Sequence, residues 1–220
     1  MTGRVRLLAG TTNQGKLREI RRLLTGIPCD LTGLDAFPGV PEPEETGDSF
    51  EANARIKALA YAQASGLLTV AEDSGLVIDA LDGAPGIHSA RYLGAHATYP
   101  ERFDAILAAL TARADRPRTA RFVCALAVAE GNEILFETRG ALEGEIAPAP
   151  AGIHGFGYDP IFYVPELGCT TAEMNEDDKL AVAQRDSAAG LAQAAALTDE
   201  LAKTRAALAA AEEQLAIAGG

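Results

Sequence analysis

Near the N-terminus, the stretch LLAGTTNQGKLREI (residues 7–20) sets Gly10 and Gly15-Lys16 at the spacing of a phosphate-binding P-loop. In that loop backbone N–H groups cradle phosphates, the lysine meets their charge, and a following Ser or Thr hydroxyl holds Mg²⁺. Here Leu17 stands in the hydroxyl's place, and a leucine ligates no metal. Two readings stay open. One is a plain glycine-assisted turn from strand to helix. The other is a different loop that also holds an anion at a helix N-terminus.

Carboxylates form the second group. Glu44, Glu45, Glu72 and Asp73 lie in two segments that could converge. Mg²⁺ takes oxygen ligands, usually one or two carboxylates plus substrate phosphates. An acid beside a metal-bound water can also take its proton. The plain alternatives are a solvated acidic loop for Glu44-Glu45 and a turn-forming aspartate before Ser74-Gly75. Cations that could meet a polyphosphate are Lys16, Lys57, Arg91, Lys179 and Arg185, though each alone reads more simply as a surface charge. Phe156 and Tyr158, set beside glycines, could present a ring to a base or fill a core. His88, His96 and His154 show no metal-ligand spacing. Cys29, Cys124 and Cys169 are widely spaced and fit a reducing compartment as small, part-buried residues.

Composition narrows the classes. A net charge of −12 over 220 residues argues against a surface that grips nucleic acid by its phosphates. It leaves a small nucleotide open, since a pocket needs few cations. Hydrophobic content of 48% with 23% charged residues is that of a globular chain. No apolar run approaches the roughly 20 residues of a membrane span, and no signal-peptide pattern opens the chain. The expectation is a cytoplasmic protein with no membrane partner.

The elements that must position these groups follow from pattern. VRLLAG reads as a buried strand, and Leu17, Ile20, Leu23 and Leu24 form a helical stripe ended by Gly26. Residues 37–48, rich in Pro, Gly and acid, read as an exposed loop. Asp48 with Glu51 suggests an N-cap for a helix that Gly66 stops. Residues 67–71 and 76–80 read as two strands broken at Asp73-Ser74-Gly75, because acids buried in a sheet without cations would be costly. Residues 83–94 look loop-like. Thr98 and Glu101 resemble a capping box for a helix to about Ala114, with Phe103, Ile106, Leu107 and Leu110 on one face. TARFVCALAVAEGNEILFETRG reads as a hairpin turning at Gly131-Asn132. GIHGFGYDPIFYVP reads as loop, then strand. From Thr171 the pattern is helical almost to the end. The whole is α/β, a sheet flanked by helices. An Ala-rich tail carries Leu201, Leu208 and Leu215 seven apart, a weak heptad signal that packing on the domain or on a second subunit would also explain.

Taken in order, TTNQGK, EETGDSFEANARIKA, AEDSGL, GAPGIHSARY, GFGYDPIF and TAEMNEDDK resemble the motifs of the inosine/xanthosine triphosphate pyrophosphatases. The resemblance spans about residues 4–185. It implies an α/β fold with a long, mixed, twisted sheet, two lobes and a nucleotide cleft between them, and a homodimer. It implies Mg²⁺-dependent hydrolysis of non-standard purine nucleoside triphosphates (ITP, dITP, XTP) to the monophosphate and pyrophosphate. By the same resemblance Thr11, Thr12, Asn13, Gln14, Gly15 and Lys16 are the triphosphate loop, and Lys57 is a further phosphate contact. Glu45 and Asp73, with Glu72 beside them, are the metal ligands. Asp73 is also the general base, so that Asp73, Lys16 and Lys57 are the catalytic groups. Ser74 contacts substrate, Phe156 stacks on the base, Gly157, Tyr158 and Asp159 continue the base segment, and Lys179 and Arg185 are C-terminal substrate contacts.

One departure stands out. Where the family has Ser-His-Arg, this chain has Ala183-Gln184-Arg185. The Gln184 amide both donates and accepts hydrogen bonds, so discrimination against a 6-amino purine could weaken. The alternatives are therefore a pyrophosphatase of relaxed or altered base choice, or a nucleotide-sensing module without catalysis. The second is disfavoured because a sensor needs no acidic pair. The expected division is one catalytic domain, residues 1–190, and a helical extension, residues 191–220.

Overall fold

A computed structural model describes residues 4–175 of the chain. Its centre is a mixed seven-stranded sheet of order β2-β1-β3-β4-β5-β6-β7. The strands are β1 (Val5–Ala9), β2 (Cys29–Gly33), β3 (Leu68–Ile78), β4 (Thr119–Glu130), β5 (Glu133–Ile146), β6 (Phe162–Val164) and β7 (Cys169–Thr170). β1 runs parallel to β2 and β3, and every later pairing is antiparallel. The helices are α1 (Gln14–Leu23), α2 (Phe50–Ser65) and α3 (Tyr99–Thr111). The α/β expectation holds, and so do the hairpin about Gly131 and the capping box of Thr98 and Glu101.

Alternation along β3 and β4 sorts the core onto two faces. Ala71, Val123, Ala125, Ala127 and Ala129 meet Phe50, Ala54, Ala58 and Ala62 of α2. Alanine against alanine lets helix and sheet approach closely. The opposite face holds the larger side chains, Leu76 and Ile78 against Phe103, Ile106 and Leu110 of α3, together with Phe162.

Five local expectations are corrected. β3 is not broken at Asp73: it runs unbroken from Leu68 to Ile78, because each acid has a cation partner, described below. Gly75 serves a different purpose from breaking the strand, since a Cβ there would lie 2.5 Å from the Gly86 carbonyl oxygen. The segment Gly86–Arg91, expected as loop, is a short 3-10 helix packed against that strand. The cap of α2 is Ser49, whose hydroxyl accepts from the Ala52 N–H. Asp48 is displaced from that role as Asn53 Oδ1 takes the Gly47 N–H at 2.8 Å and fixes the approach to the helix. Helix α3 stops at Thr111 rather than near Ala114, giving way to successive tight turns at Arg113 and Arg116. Residues 171–175 are turn, not helix. The Ala172 carbonyl is taken by the Ile153 and His154 N–H groups, and Thr171 Oγ1 bonds Asp159.

Candidate active site

Chain topology opens the site. β1 ends at Ala9 and pairs with β3 only as far as Val70. The Gly10 N–H makes one more bond to the Val70 carbonyl at 2.7 Å, and then the loop turns away into α1. Beyond this point β3 continues along β4, with Asp73 and Ser74 at the edge that β1 has left, before Val77 bridges to Pro85. Crevices at the carboxyl ends of parallel strands, where neighbouring connections diverge, are the usual binding places of open α/β sheets. A cavity of about 420 Å³ lies here, lined among others by Thr11, Thr12, Asn13, Lys16, Glu45, Lys57, Tyr61, Asp73, Ser74 and Arg91.

The loop is set by its own side chains. Asn13 caps α1, its Oδ1 accepting the Gly15 N–H at 2.8 Å and the Lys16 N–H at 3.2 Å. Thr11 Oγ1 accepts the Asn13 N–H, and Thr12 Oγ1 donates to Glu42. A ten-residue helix begins behind this cap with no acid in its first turn, so its positive end faces the cavity's loop uncompensated. Gly15 does not line the cavity, and its missing side chain makes room. A Cβ there would sit 2.7 Å from Phe156 Cδ1.

From the other side α2 presents Asn53, Lys57 and Tyr61, four apart and therefore on one face. The buried Lys57 ammonium lies 2.7 Å from Glu45 Oε1 and 3.1 Å from Asp73 Oδ1. Asp73 Oδ2 accepts from Asn53 Nδ2 at 3.1 Å, and Glu45 Oε2 accepts from Arg91 Nη1 at 3.0 Å. Burial alone would pull the Lys57 ammonium down, but Asp73, Glu45 and Glu72 together hold its pKa above the ordinary value. Burial would likewise raise Glu45, yet Lys57 and then Arg91 outweigh it and leave that carboxyl below its usual range. Glu45 and Asp73 thus converge on one cation, a hard-oxygen pair of the kind that Mg²⁺ takes together with phosphates. Among the described residues no larger cluster of potential metal ligands forms.

Glu72 does not join that pair. As Asp73's neighbour in a strand, it points to the opposite face, where Oε1 lies 2.5 Å from the Lys16 ammonium and Oε2 accepts from the Cys124 thiol. Its place is as counter-ion to the loop lysine. Phe156 is half exposed beside the start of α1. Gly157 turns at φ +65°, and Tyr158 then goes into the core, where its hydroxyl donates to the Ser89 carbonyl at 2.9 Å and burial pushes its pKa up. Buried Asp159 accepts the Phe156 N–H at 2.8 Å and the Thr171 hydroxyl at 2.8 Å. Tyr158 and Asp159 therefore shape the loop that carries Phe156. Gln14 opens α1 and is not among the cavity's lining residues. Lys179, Gln184, Arg185 and the tail, with the division at residue 190, lie outside the described residues.

Asn53 and Tyr61 were missed from sequence, though their spacing of four from Lys57 was a usable signal. Arg91 was noticed as a cation but given no place.

Fold and site together define an α/β protein with a polar cavity at the end of a parallel strand, two carboxylates sharing one lysine, and a helix N-terminus opposite. By sequence the chain belongs to the Ham1 family, whose profile matches residues 7–195. It is 45% identical over 186 residues to the dITP/XTP pyrophosphatase of Geobacter sulfurreducens, covering 84% of this chain and 94% of that one. With the protein of the same name from Symbiobacterium thermophilum it shares 49% over 185 residues, 83% and 90% of the two chains. Its fold is similar to the solved HAM1 protein of Coxiella burnetii (TM-score 0.79, 41% identity, 89% and 99% covered). The Staphylococcus aureus Ham1 protein is also similar (TM-score 0.74, 36% identity, 86% and 96% covered). No helix among the described residues is long and apolar enough to cross a membrane.

Proposed function

We propose that this protein hydrolyses dITP, ITP and XTP to the nucleoside monophosphate and pyrophosphate, with Mg²⁺. The observation that carries the reading is the convergence of Glu45 and Asp73 on Lys57, across one cavity from the loop of Thr11, Asn13 and Lys16. Relatives named dITP/XTP pyrophosphatase supply the substrate class.

Glu45 and Asp73 would hold the metal ion, which when bound supplies positive charge against the phosphates and lowers the pKa of a coordinated water. The chain's own groups do the rest. Lys16, Lys57 and the start of α1 offset the roughly four negative charges of a triphosphate, which otherwise repel an incoming water. Asp73, held on both oxygens by Lys57 and Asn53, orients that water and accepts its proton as it attacks the α-phosphorus in line. Phe156 offers an exposed ring at the α1 end for the base.

A panel of nucleoside triphosphates with Mg²⁺, followed for monophosphate and pyrophosphate, tests the reading. Loss of activity with EDTA and recovery with Mg²⁺ tests the metal. In ¹⁸O-water the label enters the monophosphate; label confined to pyrophosphate overturns attack at the α-phosphorus. A second reading, relaxed base choice, is favoured by Ala183-Gln184 in place of Ser-His, and appears in the same panel as turnover of ATP or GTP. A homodimer and a cytoplasmic location complete the proposal. Light scattering and cell fractionation check them.

A further inference from the structure

Resting on that reading, we propose that Arg91 is the exchangeable cation of the site. In the free protein it holds one oxygen of Glu45. On binding it passes to the phosphates of the nucleotide and opens Glu45 to the metal ion.

The polar groups form a chain of alternating charge: Arg91 to Glu45 at 3.0 Å, Glu45 to Lys57 at 2.7 Å, Lys57 to Asp73 at 3.1 Å, and Asp73 to Asn53 at 3.1 Å. All four oxygens of the two carboxylates have a donor. A divalent cation entering alone must displace one of these donors, and the links differ in what they can give. Asn53 is fully buried and fixed to the Gly47 N–H. The Lys57 side chain is 9% exposed and serves two acids at once, so its departure would strand both. The Arg91 side chain is 41% exposed, stands at the end of the Gly86–Arg91 turn, and meets only Glu45 in this chain of charge.

A guanidinium also has a better partner in view. Its planar fork suits a phosphate, with two parallel hydrogen bonds, and Arg91 lines the same cavity as Lys16 and the Thr11–Asn13 loop. When it turns to phosphate, Glu45 Oε2 is released. Nucleotide and metal then favour each other's binding, and the coupling is reciprocal. The free protein holds metal weakly because its carboxylates are already neutralised from within.

The test is calorimetric, on the full chain without turnover. MnCl₂ is titrated into the free protein, and separately inosine triphosphate into protein kept in EDTA, for wild type and Arg91→Ala. The variant binds Mn²⁺ about fivefold more tightly, the scale of a part-exposed ion pair, and binds metal-free nucleotide more weakly. A residue that merely supports the turn would weaken both or neither. Unchanged or weaker Mn²⁺ binding, or unchanged nucleotide binding, overturns the proposal. Arg91→Gln gives the same two measurements should the alanine variant fail to fold, which circular dichroism reports. Absence of pyrophosphate release by the wild type would refute the proposed activity, and the Mn²⁺ titration would still decide the role of Arg91.

Discussion

Replacing Lys57 by Met keeps the side chain's apolar stem and removes its charge, which isolates the ion pairs. Lys57 and Asp73 are each less than a tenth exposed and 3.1 Å apart. At an effective dielectric of about 20 their attraction is about 5 kcal/mol, and removing one partner of a buried pair costs about 3–5 kcal/mol. Glu45 softens the loss because it is more exposed and keeps Arg91. The expected destabilisation at pH 7 is therefore about 3 kcal/mol, or a fall in Tm of roughly 6–12 °C for a chain of this size. The pH dependence has a definite sign. Glu45 is depressed in the folded state, so its contribution is full above the ordinary value of 4.5 and is lost as pH falls through its lower folded pKa. Lys57 is raised, so its contribution is full below 10.5 and is lost as pH rises through its higher folded pKa. The gap between wild type and Lys57→Met is widest between these limits and narrows on acidification, as Glu45 takes a proton and the wild type loses that contribution. Urea unfolding of both proteins at pH 7 and at about pH 4 measures it. Mg²⁺ should also raise the Tm of the variant more than that of wild type, because the metal replaces the missing cation. A gap below about 1 kcal/mol at pH 7, the range of a surface pair, or one that does not narrow in acid, would refute the reasoning.

Asp73→Asn keeps the shape but loses the base, and should lower kcat by about 10²–10⁴-fold while circular dichroism stays native; near-normal turnover would remove Asp73 from the mechanism. Gly15→Ala forces its Cβ onto the Phe156 ring, and should raise KM for purine triphosphates at a stability cost of about 1–3 kcal/mol, seen in steady-state kinetics and thermal melts. Gly75→Ala drives a Cβ against the Gly86 carbonyl, which is rigid backbone. We expect a loss of similar size, about 1–3 kcal/mol, by urea unfolding.

Local signals were legible in the sequence where the structure obeys local rules. The hairpin at Gly131-Asn132 and the Thr98/Glu101 capping box are each fixed within a few residues, and both stand in the structure. β3 was misread because a local reading sees Glu72 and Asp73 as unpaired charge. Their cations arrive from α1 and α2, and nothing near residue 72 announces them. With that break assumed, the period-2 rule could not be applied across it to question the resemblance, which set the two acids at one metal site. A continuous strand would have placed them on opposite faces. The Ser49 cap was missed by one residue because Asp48 is as good a capping type, and the deciding bond, from the Gly47 N–H to Asn53, spans six residues, wider than the capping-box spacing that the reading applied. Asn53 itself escaped because polar residues in a helix usually face water.

That alternation in β3 turns the strand into a ruler. Adjacent residues of one extended segment, Glu72 and Asp73, hold the ammonium groups of Lys16 and Lys57 on opposite faces of the sheet. The loop cation and the helix cation are thereby spaced by covalent geometry rather than by packing. Neither lysine can drift along the strand without leaving its carboxylate. A single residue inserted before Glu72 would turn each acid toward the other's face and uncouple both cations at once, although no residue named here had been substituted.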